Sequence, residues 1–176
     1  MEISLRVQDS ISKHLLLRLS QELQVLDRWH FKIFSDLNDF GYAYIPDRCQ
    51  FDANKIIKRL FTERKNGKVI AIVDIDLCTP VLTFVFGQAQ LKGSVAVVSI
   101  HRLRNEYYNL TEDTLQLVSR LKKEIVHELG HLLGLYHCLN HRCVMNFSGS
   151  IINIDLKDLK LCQSCLTFLD EECCHE

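Results

Sequence analysis

His127-Glu128-Leu129-Gly130-His131-Leu132-Leu133-Gly134-Leu135-Tyr136-His137-Cys138 closes a long segment of helical periodicity. Upstream and within it, Leu115, Val118, Leu121, Ile125, Leu129 and Leu132 recur at the spacing of one helix face. Asn109 or Thr111 is placed to cap that helix, and Glu112 and Asp113 suit the positive end of its dipole. The helix is expected to stop near Gly134, where a left-handed residue ends it without a steric penalty. His127 and His131 are four apart, so both imidazoles leave one face and can share one Zn²⁺. Once the chain turns at Gly134, His137 can swing back with a third nitrogen. Three neutral nitrogens leave a fourth position for water, which is the arrangement of a catalytic zinc. The metal brings that water towards a pKa of ~7. Glu128 stands beside the metal without being needed on it, placed to take the proton and deliver it to a leaving amine. Against this stands the bland reading, histidines that are merely solvated or packed in the core. It requires Gly134 and His137 to hold their offsets by coincidence.

The cysteines extend the pattern. Cys138 follows the third histidine, Cys143 lies five later, and Cys162 and Cys165 form a Cys-x-x-Cys pair. Four thiolates close a tetrahedral zinc and make it structural. It would tie the loop after the long helix to the C-terminal helix, a region with few obvious core residues. The expectation is therefore two zinc ions per chain. One is catalytic, on His127, His131 and His137; the other is structural, on Cys138, Cys143, Cys162 and Cys165. His141, Cys173 and Cys174 are near enough in sequence to replace one of those ligands. Cys49 and Cys78 stand alone and read as buried thiols.

Elsewhere the pattern is that of a mixed α/β sheet. Ile3, Leu5 and Val7 alternate as in a strand, and Ile11, Leu15, Leu19, Leu23 and Leu26 follow as a helix. A strand is expected around Trp29–Phe34 and a loop over Asn38–Pro46. A helix over Ala53–Phe61 should put Ile56, Ile57, Leu60 and Phe61 on one face, ahead of a turn at Asn66-Gly67. Val69–Val73 is continuously apolar, as in a strand covered on both faces. Leu82–Phe86 and Val95–Ile100 read as further strands. Cys138–Asn153 reads as irregular, and a last helix is expected from near Asp155, with Leu156, Leu159 and Cys162 or Leu166 on its apolar side.

The 176 residues fit one domain, and 47 % hydrophobic with 24 % charged residues excludes a disordered tail or a fibre. Lys plus Arg is 21 against 22 Asp plus Glu, a net charge of −1. That leaves no field for nonspecific binding to nucleic acid or anionic membranes. No apolar run approaches the ~18 residues of a membrane span, and the N-terminus lacks the pattern of a signal peptide. A cytoplasmic protein, monomeric by default and acting on a peptide or protein substrate, is the expectation.

The run His127-Glu128-x-x-His131-x-x-Gly134-x-x-His137-Cys138-x4-Cys143-x-Met145, with Cys162-x-x-Cys165, resembles the archaemetzincins, a branch of the metzincin zinc peptidases. A second block is similar too: Asp76-Leu77, Phe84-Val85-Phe86-Gly87 and Ser99-Ile100-His101-Arg102-Leu103, with Arg48 and Gln50 as a weaker upstream element. The resemblance implies one metzincin-like catalytic domain over 1–176. Its upper part, 1–137, would carry the active-site helix, and 138–176 would form a small zinc-stabilised lower part. It implies that Met145 lies as an apolar floor beneath the three histidines. An edge strand above the cleft would pair with an extended peptide, with Leu82–Phe86 as the candidate. Asn146-Phe147 follows Met145, so branches with a tyrosine ligand two positions on do not match. His101 and Arg102 read as rim residues of the cleft or as structural ones. Catalysis through Glu128 competes with a second reading, a two-zinc peptide-binding or regulatory module with little proteolytic activity.

Overall fold

Alternation along β1 (Glu2–Gln8) buries Ile3, Leu5 and Val7 and makes this strand the seed of a sheet. The computed structural model describes residues 1–173 apart from 25, 27 and 65. β1 pairs in parallel with β2 (His30–Leu37) on one side and β5 (Lys68–Val73) on the other. β5 pairs in parallel with β8 (Val95–Ser99), and β7 (Gly87–Ala89) closes the far edge antiparallel to β8. The strand order is β2-β1-β5-β8-β7, a mixed sheet.

Helices cover both faces. Ile70, Ile72, Ala96 and Val98 join the core shared with α1 (Lys13–Leu23) and α3 (Thr114–Leu132). Ala71, Val73, Val95 and Val97 pack on the opposite face with Ile56, Ile57 and Leu60 of α2 (Ala53–Glu63). This double burial is the physical reason for the unbroken apolar run at Val69–Val73. Asp52 caps α2 by accepting from the Asn54 backbone N–H at 2.9 Å. Phe61, expected on the apolar face, is exposed. A second sheet, ordered β3-β4-β6, joins Tyr44–Ile45, Gln50–Asp52 and Leu77–Cys78. Strands of two or three residues carry no readable period, so periodicity does not register them.

Several expectations shift. Asp113, not Asn109 or Thr111, caps α3, accepting from the Gln116 N–H at 2.9 Å; Asn109 is itself left-handed, at φ 57°. Leu115 is exposed on the first turn of α3. Leu82–Phe86 is irregular, and the edge strand is the shorter β7 that follows it. The C-terminal region holds two helices, α4 (Ile151–Leu156) and α5 (Gln163–Cys173), where one was expected from near Asp155. Ser150 starts α4 early by accepting from the Asn153 N–H, and an extended Lys157 ends it. Cys78 is buried as expected, whereas Cys49 is exposed at φ 50°. Among the described residues no helix is long and apolar enough to cross a membrane.

Candidate active site

α3 delivers His127, Glu128 and His131 from its last two turns, and the way it ends places the third histidine. Gly134 takes φ 96°; its N–H donates to His131 O at 3.0 Å, and the Leu135 N–H donates to Gly130 O at 2.9 Å. This paired closure reverses the chain in a single residue and carries His137 back towards the helix. The ring centroids of His127, His131 and His137 lie 4.7 to 5.3 Å apart, and one nitrogen from each falls within 4.8 Å of the others.

The hydrogen bonds choose which nitrogen is offered. His127 Nδ1 donates to Val144 O at 2.8 Å, and His131 Nδ1 donates to Leu135 O at 2.7 Å. A carbonyl only accepts, so both Nδ1 atoms carry the proton. The two Nε2 lone pairs then converge on each other at 3.1 Å. Two facing lone pairs repel unless a cation lies between them, so the donor set fits a divalent metal such as zinc. Burial, the largest influence, holds all three imidazoles below their usual pKa, His127 most strongly. They are thus neutral near pH 7, the form that ligates.

Glu128 is 3 % exposed and its Oε2 has no hydrogen-bond partner. Burial pushes its carboxyl well above the usual range, Glu124 adds to the rise and Lys157 opposes it. Glu128 lines a cavity of about 480 Å³ together with the three histidines. Phe84, Phe86, Tyr136 and Phe147 supply much of the apolar wall. Gly87 of β7 touches Glu128 directly: a Cβ there would meet Oε1 at 2.5 Å. Met145 is fully buried beneath α3, and a Cβ on Gly130 would meet its Sδ at 2.3 Å. The two glycines are requirements of close approach, a signal that periodicity does not register.

The cleft wall is held from outside. Arg48 donates to Thr79 O at 3.0 Å, Leu82 O at 2.9 Å and Thr83 O at 2.7 Å, and Gln50 Nε2 donates to Thr83 O at 2.9 Å and Asp76 Oδ2 at 3.0 Å. These side chains replace the strand ladder that Leu82–Phe86 lacks. Arg102 grips Asp76 at 2.6 and 2.7 Å and lies 4.4 Å over the Phe84 ring, so it braces the wall without lining the cavity. His101 faces Asp74 and does not line the cavity either.

Below the histidines, Cys138, Cys143, Cys162 and Cys165 bring their sulfurs within 4.8 Å of one another. The Cys138–Cys162 and Cys143–Cys165 pairs are 3.7 and 3.8 Å apart, too far for disulfides and apt for four ligands on one ion. Backbone N–H groups of Asn140 and Cys162 donate to Cys138 Sγ and Cys143 Sγ. Hydrogen bonding, first from the backbone at Cys165, draws the Cys162 thiol down to about 7, while burial pushes Cys165 up. His141 is exposed and outside both groups. Cys174 and the side chain of Cys173 lie outside the described residues.

A family model described as Peptidase family M54 matches residues 46–171. The archaemetzincin of Methanocaldococcus jannaschii is 45 % identical over 130 residues, 74 % of this chain and 72 % of that one. A crystal structure of a zinc-dependent peptidase from Methanocorpusculum labreanum superposes with a TM-score of 0.88 at 31 % identity, covering 95 % of this chain and 99 % of the other. That of archaemetzincin from Archaeoglobus fulgidus, complexed with malonate, gives 0.82 at 30 % identity over the same shares.

Proposed function

The chain belongs to peptidase family M54, the archaemetzincins, and on that premise we propose that it hydrolyses peptide bonds at the His127–His131–His137 centre with Glu128 as the proton-handling base. Zinc, when bound there, supplies the positive charge that polarises a scissile carbonyl and acidifies water. The observation that carries the reading is the convergence of the two Nε2 atoms at 3.1 Å, with both Nδ1 atoms committed to carbonyls. Glu128, next to His127 on α3, is a carboxylate on the cavity wall with one oxygen unclaimed by the protein; Glu124 borders the same cavity one turn earlier, beside Lys157. In this role it removes a proton from the attacking water and returns it to the leaving nitrogen. The free edge of β7 gives an extended substrate backbone groups to pair with, and the aromatic wall excludes water. Cys138, Cys143, Cys162 and Cys165 hold the second zinc in this reading, one that fastens the loop after α3 to α5.

The test is Glu128→Gln in zinc-loaded protein, assayed on a peptide library with zinc content measured in parallel. The expected result is turnover lowered by at least ~10²-fold with zinc retained. Equal turnover in parent and variant would overturn the mechanism. Zinc-loaded parent that binds peptides yet cleaves none would favour the binding or regulatory module.

A further inference from the structure

Lys157 and Glu124 are buried charges to which the mechanism gives no step, although Glu124 borders the same cavity as Glu128. Their side chains are 0 % and 4 % exposed, and Lys157 Nζ stands 3.7 Å from Glu124 Oε1. Charged groups are rarely that deep, and an ion pair there is seldom kept for stability, since an apolar pair of similar volume usually serves as well. Nζ also donates to Val144 O at 3.2 Å. That carbonyl accepts from His127 Nδ1 as well, so both of its lone pairs are claimed.

The contacts close a ring. Glu124 and His127 sit three residues apart on α3, almost one turn. Lys157 follows α4, and Val144 lies in the irregular segment between Cys143 and Met145. Val144 has no strand partner; its own N–H donates to Lys160 O at 3.0 Å. The Cys138 N–H donates to Met145 O and the Asn146 N–H to Cys143 O, both at 2.9 Å, so these turn bonds and the two donors on the carbonyl together set its direction. We propose that Lys157 is a positioning residue of the histidine centre: its ammonium, facing the Glu124 carboxylate at 3.7 Å, too long for a hydrogen bond, donates to the Val144 carbonyl and helps hold it where it fixes the ring plane and tautomer of His127. Partners of this kind orient ligating imidazoles, and losing them commonly costs 10–100-fold in metal affinity or activity. The proposal rests on the assignment of His127, His131 and His137 as metal ligands.

Full-length protein reconstituted with Co²⁺ tests it, because the two centres differ in colour. A thiolate centre shows sulfur-to-cobalt charge transfer, and a histidine centre shows only weaker ligand-field bands. In Lys157→Met the expected result is a histidine centre about 10–100-fold weaker for Co²⁺, with a shifted ligand-field spectrum and an unchanged thiolate band. kcat should fall more than KM rises, and Lys157→Arg should restore most of the loss. Should the methionine protein not fold, the isosteric Glu124→Gln carries the test, with the same selective weakening expected. An unchanged histidine-centre affinity and spectrum in a folded variant would overturn the proposal. Equal weakening of both centres, which marks a general brace, would overturn it too. If the parent shows no histidine-type spectrum, the ligand assignment fails and this inference falls with it. A normal parent beside an unaffected variant sinks this inference alone.

Discussion

Gly87 and Glu128 touch across the cleft, so closely that a Cβ on Gly87 would lie 2.5 Å from Glu128 Oε1 and 2.8 Å from its Cγ. The edge strand and the carboxylate are therefore set against each other by a residue with no side chain. Gly87→Ala must push Glu128 aside. The expected outcome is a kcat lowered by about 10²-fold, the size of effect that a misplacement of ~1 Å produces. Zinc content should be unchanged, since no candidate ligand moves. Parallel turnover and metal analysis check this; full activity in the alanine variant would show that the contact does not position the carboxylate.

Replacing Cys162 and Cys165 together by Ser removes half of the four-sulfur group. We expect the zinc content to fall by one equivalent and the melting temperature to drop by ~10 °C. That drop corresponds to several kcal/mol at the ~2–4 °C per kcal/mol of a chain this long. Replacing His127 should remove the other equivalent with a much smaller thermal change. A double serine variant that melts with the parent would show that the thiolates do not fasten this region.

Asp74 shapes the acid limb of stability. His101 and then Arg104, at 2.8 Å, hold its carboxyl below the usual range against the opposing effect of burial. A folded pKa below the unfolded value near ~3.9 means that the ionised form is favoured by folding. Its contribution is present above about pH 4 and disappears as pH falls through the folded value. Thermal melts of parent and Asp74→Asn between about pH 5 and pH 2 should converge as the acid is added. Curves separated by a constant gap would contradict the assignment.

Arg48 spans from one 3-10 turn to three carbonyls of the segment leading into the cleft wall. Arg48→Ala should cost ~1–3 kcal/mol, as lost charge-assisted hydrogen bonds do. It should also raise KM more than it lowers kcat, since it loosens the wall and leaves Glu128 in place. Denaturant titration and steady-state kinetics on one peptide separate the two effects.

The parts of this molecule that were readable in advance are those whose logic is local. Ile3, Leu5 and Val7 alternate because one face of β1 is core, and Val69–Val73 is unbroken because β5 has core on both faces. The histidine spacing is equally local, because one helix carries two of the rings and one glycine returns the third. Leu82–Phe86 misled for the opposite reason. Its alternating aromatics imitate a strand, yet Arg48 and Gln50, more than thirty residues upstream, hold it instead of a ladder. Leu115 and Phe61 fit their helical stripes, yet both remain exposed in the packed structure. Gly87 and Gly130 matter through a partner's atoms, and a glycine announces nothing about what approaches it.

Three imidazoles, one carboxylate and four thiols were legible in advance, at spacings that a helix, a reversal and two short loops bring together. Periodicity and spacing act over a few residues, where backbone geometry alone sets which side chains meet. How those groups are aimed depends on packing between distant segments. That packing placed Val144 O and Leu135 O against the ring nitrogens, put Gly87 against Glu128, and buried Lys157 opposite Glu124, 33 positions away. Such contacts join segments that are distant along the chain, and their geometry exists only once the core has packed.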